Sequence, residues 1–370
     1  MDQLLIGIMG LTWKHLVMYG IGILLIYLAI AKEYEPVLLL PIGFGALLCN
    51  IPFSSVIGPE GPLTILHHAG IITELFPCLI FVAIGAMCDF APMLKNPILM
   101  IFGAAAQFGI FVTIVIAALL GFDIKEAVSI GIIGAADGPT TIYVASKLAP
   151  HLLAPLSVAA YSYMSLVPII QPPVIRALTT KEERSIVMPK KEDVPVSRMV
   201  RIAFPIVVTL IAGIIAPISV ALIGMLMFGN LLRECGVVER LSKSAQDELA
   251  NLVTLLLGIT IGSTMIAGDF LNLSTLMVMG LGVVAFVFDT AGGVLFAKAM
   301  NLFLKQKINP MIGACGISAF PMSARVIAKM AFVDNKRNYL IMHAIGANVS
   351  GQIGSIIAGG IVLAVVAGML

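Results

Sequence analysis

The chain has 370 residues, of which 59% are hydrophobic and only 11% charged, and its mean hydropathy is +1.06. Soluble domains carry roughly 25% charged residues, so this composition excludes a water-soluble globule and leaves lipid as the place for its apolar side chains. A net charge of +2 gives no case for nucleic-acid binding or for a strongly basic membrane-surface mode.

Long apolar stretches lie near 17–31, 36–51, 74–88, 97–121, 152–175, 202–228, 250–268, 273–300 and 339–370. Trp13, Lys14 and His15 interrupt the opening, and no small-residue cleavage site follows, so a cleavable signal is not expected. Two shorter apolar stretches, 127–150 and 308–333, are broken by Gly and Pro. At about 20 residues per span, the chain reads as an all-α polytopic membrane protein of roughly ten or eleven transmembrane helices or half-helices. The five cysteines form no CxxC pair and read as small hydrophobes in packed helices. His67 and His68 are adjacent, so on a helix they point in different directions and a shared metal is not expected.

Residues 176–201 break the pattern, with Arg176, Lys181, Arg184, Lys190, Lys191, Arg198 and Arg201 set among Glu182, Glu183, Glu192 and Asp193. This reads as a solvated linker, which the positive-inside rule places in the cytoplasm. It divides a first repeat with the N-terminal helices (1–175) from a second (202–370). Leu66–Leu75 can be laid on Leu232–Leu241. An offset of about 182 residues then aligns Lys125 with Lys307, Gly131 with Gly313, Gly134 with Gly316, Lys147 with Lys329, and Gln107 with Asp289. Transporters built from inverted repeats hold their ion near the midplane, where Gly/Pro-interrupted segments of the two halves meet. Two related, inverted repeats with broken helices at 127–150 and 308–333 are therefore expected.

Within the first broken segment, Asp137 stands in apolar sequence beside Gly138 and Pro139, which cannot continue a regular helix. A carboxylate at membrane depth costs about 2.5–3.5 kcal/mol. With the hydroxyls of Thr140 and Thr141 and freed carbonyls it makes an all-oxygen set suited to a hard cation. The alternatives are a helix cap or an ion pair with Lys147. In the second segment Asn309 and Ser318 supply oxygens, Pro310 and Pro321 break the helix, and Arg325 needs a counter-charge if it lies in the bilayer. That charge is either Asp137 or an anionic carboxylate or carbamate; alternatively Arg325 snorkels to the interface beside Lys329. Asn348 and Ser355, seven apart, share a helical face in a glycine-rich stretch that also suits close packing alone. Tyr163, taken by itself, reads as an interface anchor.

The run from Gly134 through Asp137, Gly138, Pro139, Thr140, Thr141 and Tyr143 to Pro150 resembles the signature of the membrane β-subunit of biotin-dependent, sodium-pumping decarboxylases. The likeness continues through Tyr161–Pro173, Asn309–Arg325 and Asn348–Ser355. The family serves oxaloacetate, methylmalonyl-CoA and glutaconyl-CoA decarboxylases. The resemblance implies Asp137 as central Na+ ligand and alternate proton site, with Asn309, Asn348 and Ser355 as further Na+-site oxygens. It implies that Gly313 and Ser318, with Arg325, shape the cavity for carboxybiotin, and that Tyr163 and Arg325 deliver the proton and handle that group. The implied activity is that of a translocase in the bacterial inner membrane, coupling carboxybiotin decarboxylation to Na+ export. Its implied partners are a carboxyltransferase α-subunit, a biotin carrier subunit, a small single-span subunit and further copies of itself. The compact length leans toward methylmalonyl-CoA or glutaconyl-CoA. The competing reading is a secondary Na+-coupled carboxylate transporter without chemistry, in which Arg325 binds the solute.

Overall fold

The computed structural model describes residues 7–33, 35–188, 195–215 and 217–368. Lys190, Lys191, Glu192 and Asp193 of the expected linker lie outside the described residues. The longer helices are α1 (Trp13–Ala31), α2 (Pro36–Cys49), α3 (Leu75–Met87), α4 (Ile98–Ala106), α5 (Phe108–Leu119), α6 (Ile124–Gly131), α7 (Gly138–Leu148) and α8 (Leu153–Leu178). After the linker come α9 (Arg198–Ile215), α10 (Val220–Cys235), α11 (Ala250–Ser263), α12 (Leu273–Phe303), α13 (Met322–Asp334) and α14 (Ile341–Gly368). No strand occurs among the described residues. Six of the helical segments there are long and apolar enough to cross a membrane, or eight if each of two bent pairs counts as one span.

Local sequence explains where the segments start and stop. Asp123 caps α6 and pairs reciprocally with Glu126 in a capping box, and Asn272 caps α12 through the Thr275 N–H. Pro168, Pro172 and Pro173 remove three donors inside α8, a loss tolerated where neighbouring protein covers the freed carbonyls. Close helix crossings are made by glycine. A Cβ on Gly85 of α3 would lie 1.8 Å from the Leu226 carbonyl of α10, and one on Gly229 of α10 would lie 2.0 Å from the Val82 carbonyl of α3. Small residues are what let membrane helices pack this closely, because lipid provides no hydrophobic drive between them.

The order of elements recurs across the chain. A helix pair (α1, α2), a π-helical turn at His67–Ile72, α3, the span α4–α5, a broken segment (α6, α7) and α8 are followed after the linker by a like series. That series is α9 and α10, a π-helical turn at Ala245–Leu249, α11, α12, a broken segment (Pro310–Gly316 and α13) and α14. The match of Leu66–Leu75 to Leu232–Leu241 does not follow this order. Gly236 ends α10 at φ +70°, so Leu232–Leu241 straddles a helix end, whereas the π turn recurs further on.

Contacts sort the chain ends onto two sides. On the linker side, Lys298 near the end of α12 donates to the Leu178 carbonyl (2.9 Å), and Arg233 of α10 donates to the Met87 carbonyl (2.7 Å). On the other, Glu74 pairs with Lys147 (2.6 Å), His151 with Glu126 (2.8 Å), and Asn50 donates to the Met265 carbonyl (2.8 Å). The segment α6–α7 thus enters and returns on the side away from the linker, and Pro310–Asp334 does so on the linker side.

The linker differs from its expected solvated form. Thr180 caps the short helix Lys181–Arg184, Glu183 pairs with Lys298 (3.1 Å), and Arg184 pairs with Asp334 (2.7 Å). Asn309 and Asn338 both donate to the carbonyls of Arg184 and Ile186, at 2.7–3.2 Å. Charge alone suggests exposure, but carbonyls at a packed helix end need donors, and these carboxamides supply them.

Candidate functional site

The tips of the two broken segments touch. Ile132–Ala135 tightens into a 3-10 turn, Ala136 turns left-handed at φ +52°, and Asp137 starts α7 as its N-cap. The Ser318 N–H, just beyond Pro310–Gly316, donates to the Ala135 carbonyl (2.8 Å). Asp137 is 3% exposed. Its Oδ1 accepts the Thr140 N–H (3.1 Å), and its Oδ2 accepts the hydroxyls of Thr140 (2.8 Å) and Ser355 (2.6 Å). Ser318 Oγ lies 2.6 Å from Ser355 Oγ, and Thr141 closes on the Asp137 carbonyl. Both alternatives read from sequence receive an answer: Asp137 is a cap, and Lys147 pairs with Glu74 instead.

All three donors on the Asp137 carboxylate belong to the backbone or to hydroxyls. A hydroxyl carries one proton and two lone pairs and can rotate. Thr140 and Ser355 can therefore solvate a bare carboxylate through their protons, or turn lone pairs toward a cation that sits on it. Among the described residues no group of three His, Cys, Asp or Glu side chains could hold a metal ion, so oxygen from neutral groups must complete any shell around Asp137.

The second break exposes five consecutive carbonyls, and each receives a side-chain donor. Gln171 and Ser323 donate to Ala314, Asn348 to Cys315 and Ile317, Gln107 to Gly316, and Gln352 to Ser318. This set of carboxamides is what makes a non-helical backbone tolerable at this depth. Gly313 lies inside the same 3-10 rod against α12, where its Cβ would sit 1.9 Å from the Gly293 carbonyl.

A cavity of about 370 Å³ opens beside the tips. Asp137, Ser318, Arg325, Gln352, Gln246 and Met164 are in its wall. Arg325 is exposed there, and its guanidinium forms no ion pair or hydrogen bond with a described residue. A larger cavity, about 770 Å³, lies on the side away from the linker and includes Glu126, His151, Asp269 and Asn272; it holds none of the Asp137 group.

The structure brings together Asp137, Ser318, Asn348 and Ser355, with Arg325 in the adjoining cavity. Tyr163 is buried, not an interface anchor; its hydroxyl donates to the Met279 carbonyl of α12. Asn309 stands apart. Its Oδ1 caps the 3-10 rod through the Met311 N–H (3.1 Å), and its amide holds the linker. Seven residues of 3-10 helix, roughly 14 Å, separate it from Ser318. Reasoning from sequence passed over Gln352 and Gln246. Gln352 was legible, because it lies four residues from Asn348 and three from Ser355 on one helical face. Gln246 carried no such signal.

The family described as "Na+-transporting oxaloacetate decarboxylase beta subunit" matches residues 14–366. The chain is 50% identical over 358 residues to a "Methylmalonyl-CoA decarboxylase subunit beta" of Veillonella parvula, covering 97% of this chain and 95% of that protein. It is 49% identical over 362 residues to a "Glutaconyl-CoA decarboxylase subunit beta" of Acidaminococcus fermentans, covering 98% and 96%. Against an "Oxaloacetate decarboxylase beta chain" of Klebsiella pneumoniae it is 43% identical over 425 residues, covering 98% of each chain.

Proposed function

This chain belongs to the family of Na+-transporting oxaloacetate decarboxylase beta subunits, and from that premise we propose that it couples decarboxylation of carboxybiotin, carried by a partner subunit, to export of Na+ through the Asp137 group. The observation that supports this reading most directly is that Asp137 and an unpaired Arg325 share one cavity. The higher identity to the two acyl-CoA decarboxylase subunits favours methylmalonyl-CoA or glutaconyl-CoA as the substrate of the assembly. The partners of this reading are a carboxyltransferase α-subunit, a biotin carrier subunit, a small single-span subunit and further copies of this chain. The recurring order of elements, entering from opposite sides, supports two inverted repeats (1–175 and 202–370) about the 176–201 linker. That linker is cytoplasmic by its excess of Lys and Arg.

In this reading the cavity faces the cytoplasm. Arg325 presents a planar fork of donors that matches an anionic carbamate, and Gly313 and Ser318 keep the break where that cavity opens. Carboxybiotin there supplies a carbamate that releases CO2 when its ring nitrogen takes up a proton. Asp137 holds either that proton or Na+, so Na+ arriving from the cytoplasm frees a proton for the cavity. Tyr163 would relay it, which requires its hydroxyl to leave the Met279 carbonyl. Asn348 and Ser355 would complete the cation's shell together with Thr140; Asn309, a helical rod away, is left out of it. Moving one charge against the membrane potential costs roughly 2.3 kcal/mol per 100 mV, so the chemistry must be tied to access at Asp137.

The test uses the purified complex in liposomes, with Na+ uptake and CO2 release followed after addition of the acyl-CoA. Asp137→Asn should abolish both. Retention of full Na+ uptake and decarboxylation by that variant would remove Asp137 from the mechanism. Failure of a biotinylated protein to copurify would favour the secondary transporter instead.

A further inference from the structure

Four carboxamides hold the carbonyls of the second break, and this accounts for their amide protons but not for their oxygens. Gln171 Oε1 lies 3.0 Å from the Ser323 hydroxyl, whose one proton it shares with the Ala314 carbonyl (3.1 Å). Gln107 Oε1, Asn348 Oδ1 and Gln352 Oε1 are buried and accept no hydrogen bond from any described residue. A buried carboxamide oxygen without a donor is destabilising. Two of these three lie on α14 at positions 348 and 352, one turn apart, and the next residue on that face is Ser355, which touches Asp137. Gln352 is 3% exposed, borders the Asp137 cavity, and is tethered through its amide to the Ser318 carbonyl. The Ser355 hydroxyl also lies 3.1 Å from the Gln352 carbonyl. One face of α14 thus carries oxygens from Asn348 through Gln352 to Ser355 and ends at the carboxylate.

We propose that Gln352 is a cation ligand, its Oε1 joining Asp137 and Ser355 around Na+, while its amide ties the bound ion to the second broken segment. The inference rests on the reading that the Asp137 group carries Na+. A hard monovalent cation takes neutral carbonyl oxygens readily, and a carboxamide adds such an oxygen without a second charge in the bilayer. The tether gives the ligand a mechanical consequence. Filling the site loads Gln352 Oε1, and any shift of Ser318 pulls on Gln352 Nε2, so occupancy and the position of the break become one variable.

Two substitutions separate a ligand from a merely structural carboxamide. Gln352→Met keeps the side chain's length and removes both oxygen and amide. Gln352→Glu keeps an oxygen and removes the amide bond to Ser318. The measurement is the Na+ concentration giving half-maximal decarboxylation by the whole complex, together with the Na+-dependent rise in thermal stability of the same preparation, which needs no turnover. Gln352→Met should raise the required Na+ roughly ten- to hundredfold, whereas Gln352→Glu, which keeps an oxygen on the ion, should not raise it but, having lost the tether to Ser318, should lower the rate of decarboxylation at saturating Na+, a split that a ligand oxygen produces. An unchanged Na+ dependence in Gln352→Met, or equal shifts in the two variants, would overturn the proposal. Asp137→Asn, run alongside, keeps the failures apart. If it retains a Na+-dependent response, the reading of the Asp137 group fails. If it loses that response while Gln352→Met keeps the parental curve, only the role of Gln352 fails.

Discussion

Asp137 illustrates how much a single side chain can be asked to do when its surroundings are neutral. Its carboxylate meets hydroxyls and one N–H, with no Lys or Arg within ion-pair distance among the described residues. The proposed exchange between H+ and Na+ requires such a carboxylate, whereas a guanidinium pair would lock it in one state and cost desolvation as well. Arg325 is kept in the cavity instead, where it can meet an incoming anion. Arg325→Ala should lower CO2 release from carboxybiotin by roughly 10²–10³-fold, the usual effect of losing one charge-stabilising donor. Carboxyl transfer to biotin on the partner subunit should continue. Assaying the two half-reactions separately checks this, and loss of both would remove Arg325 from the decarboxylation step.

Broken segments are stable here because neighbours supply what the helix no longer does. The rod Pro310–Gly316 runs seven residues in 3-10 geometry, beyond the usual three or four, and its carbonyls are met by side chains from α4–α5, α8, α13 and α14. Asp289 of α12 does the corresponding service for the first half, accepting the Ile110 N–H (3.1 Å) where α5 begins after Gln107. The rod also depends on a glycine-to-glycine contact. A Cβ at 313 would sit 1.9 Å from the Gly293 carbonyl, and one at 293 would sit 2.1 Å from the Gly313 carbonyl. Gly313→Val should therefore destabilise the protein by at least about 1–3 kcal/mol through overpacking against backbone that cannot yield. Thermal unfolding in detergent reports it, and Gly20→Val, where a Cβ meets nothing within 4 Å, is the control.

Across the molecule, the linker joins the first half to the ends of α12 and α13 through a polar latch. Partial burial pushes the Glu183 carboxyl up, but the Thr180 N–H and Lys298 together outweigh this and hold it below its ordinary value. A depressed carboxylate contributes stability that is present above its unfolded value of about 4.3 and is lost as pH falls through the folded value. Amide hydrogen exchange in residues 179–188, corrected for intrinsic rates, should therefore quicken below about pH 4.3. Glu183→Gln should remove that acid dependence.

Composition and the spacing of apolar runs determined the membrane class and helical architecture, because lipid admits few ways to satisfy a backbone. Gly-Pro punctuation determined where the helices break, and Asp137 is conspicuous in any apolar run. Pairing was another matter. Lys147 chose Glu74 over Asp137, Asn309 went to the linker, and Tyr163 turned inward to α12, since each partner lies far off in the chain and is reached only once the helices pack. The meeting of Asp137 with Ser355, 218 residues later, is likewise a product of tertiary structure. Local sequence sets backbone geometry through short-range sterics and hydrogen bonding; which buried polar atoms are satisfied, and which are left without a hydrogen-bond partner, depends on contacts that only the assembled bundle makes.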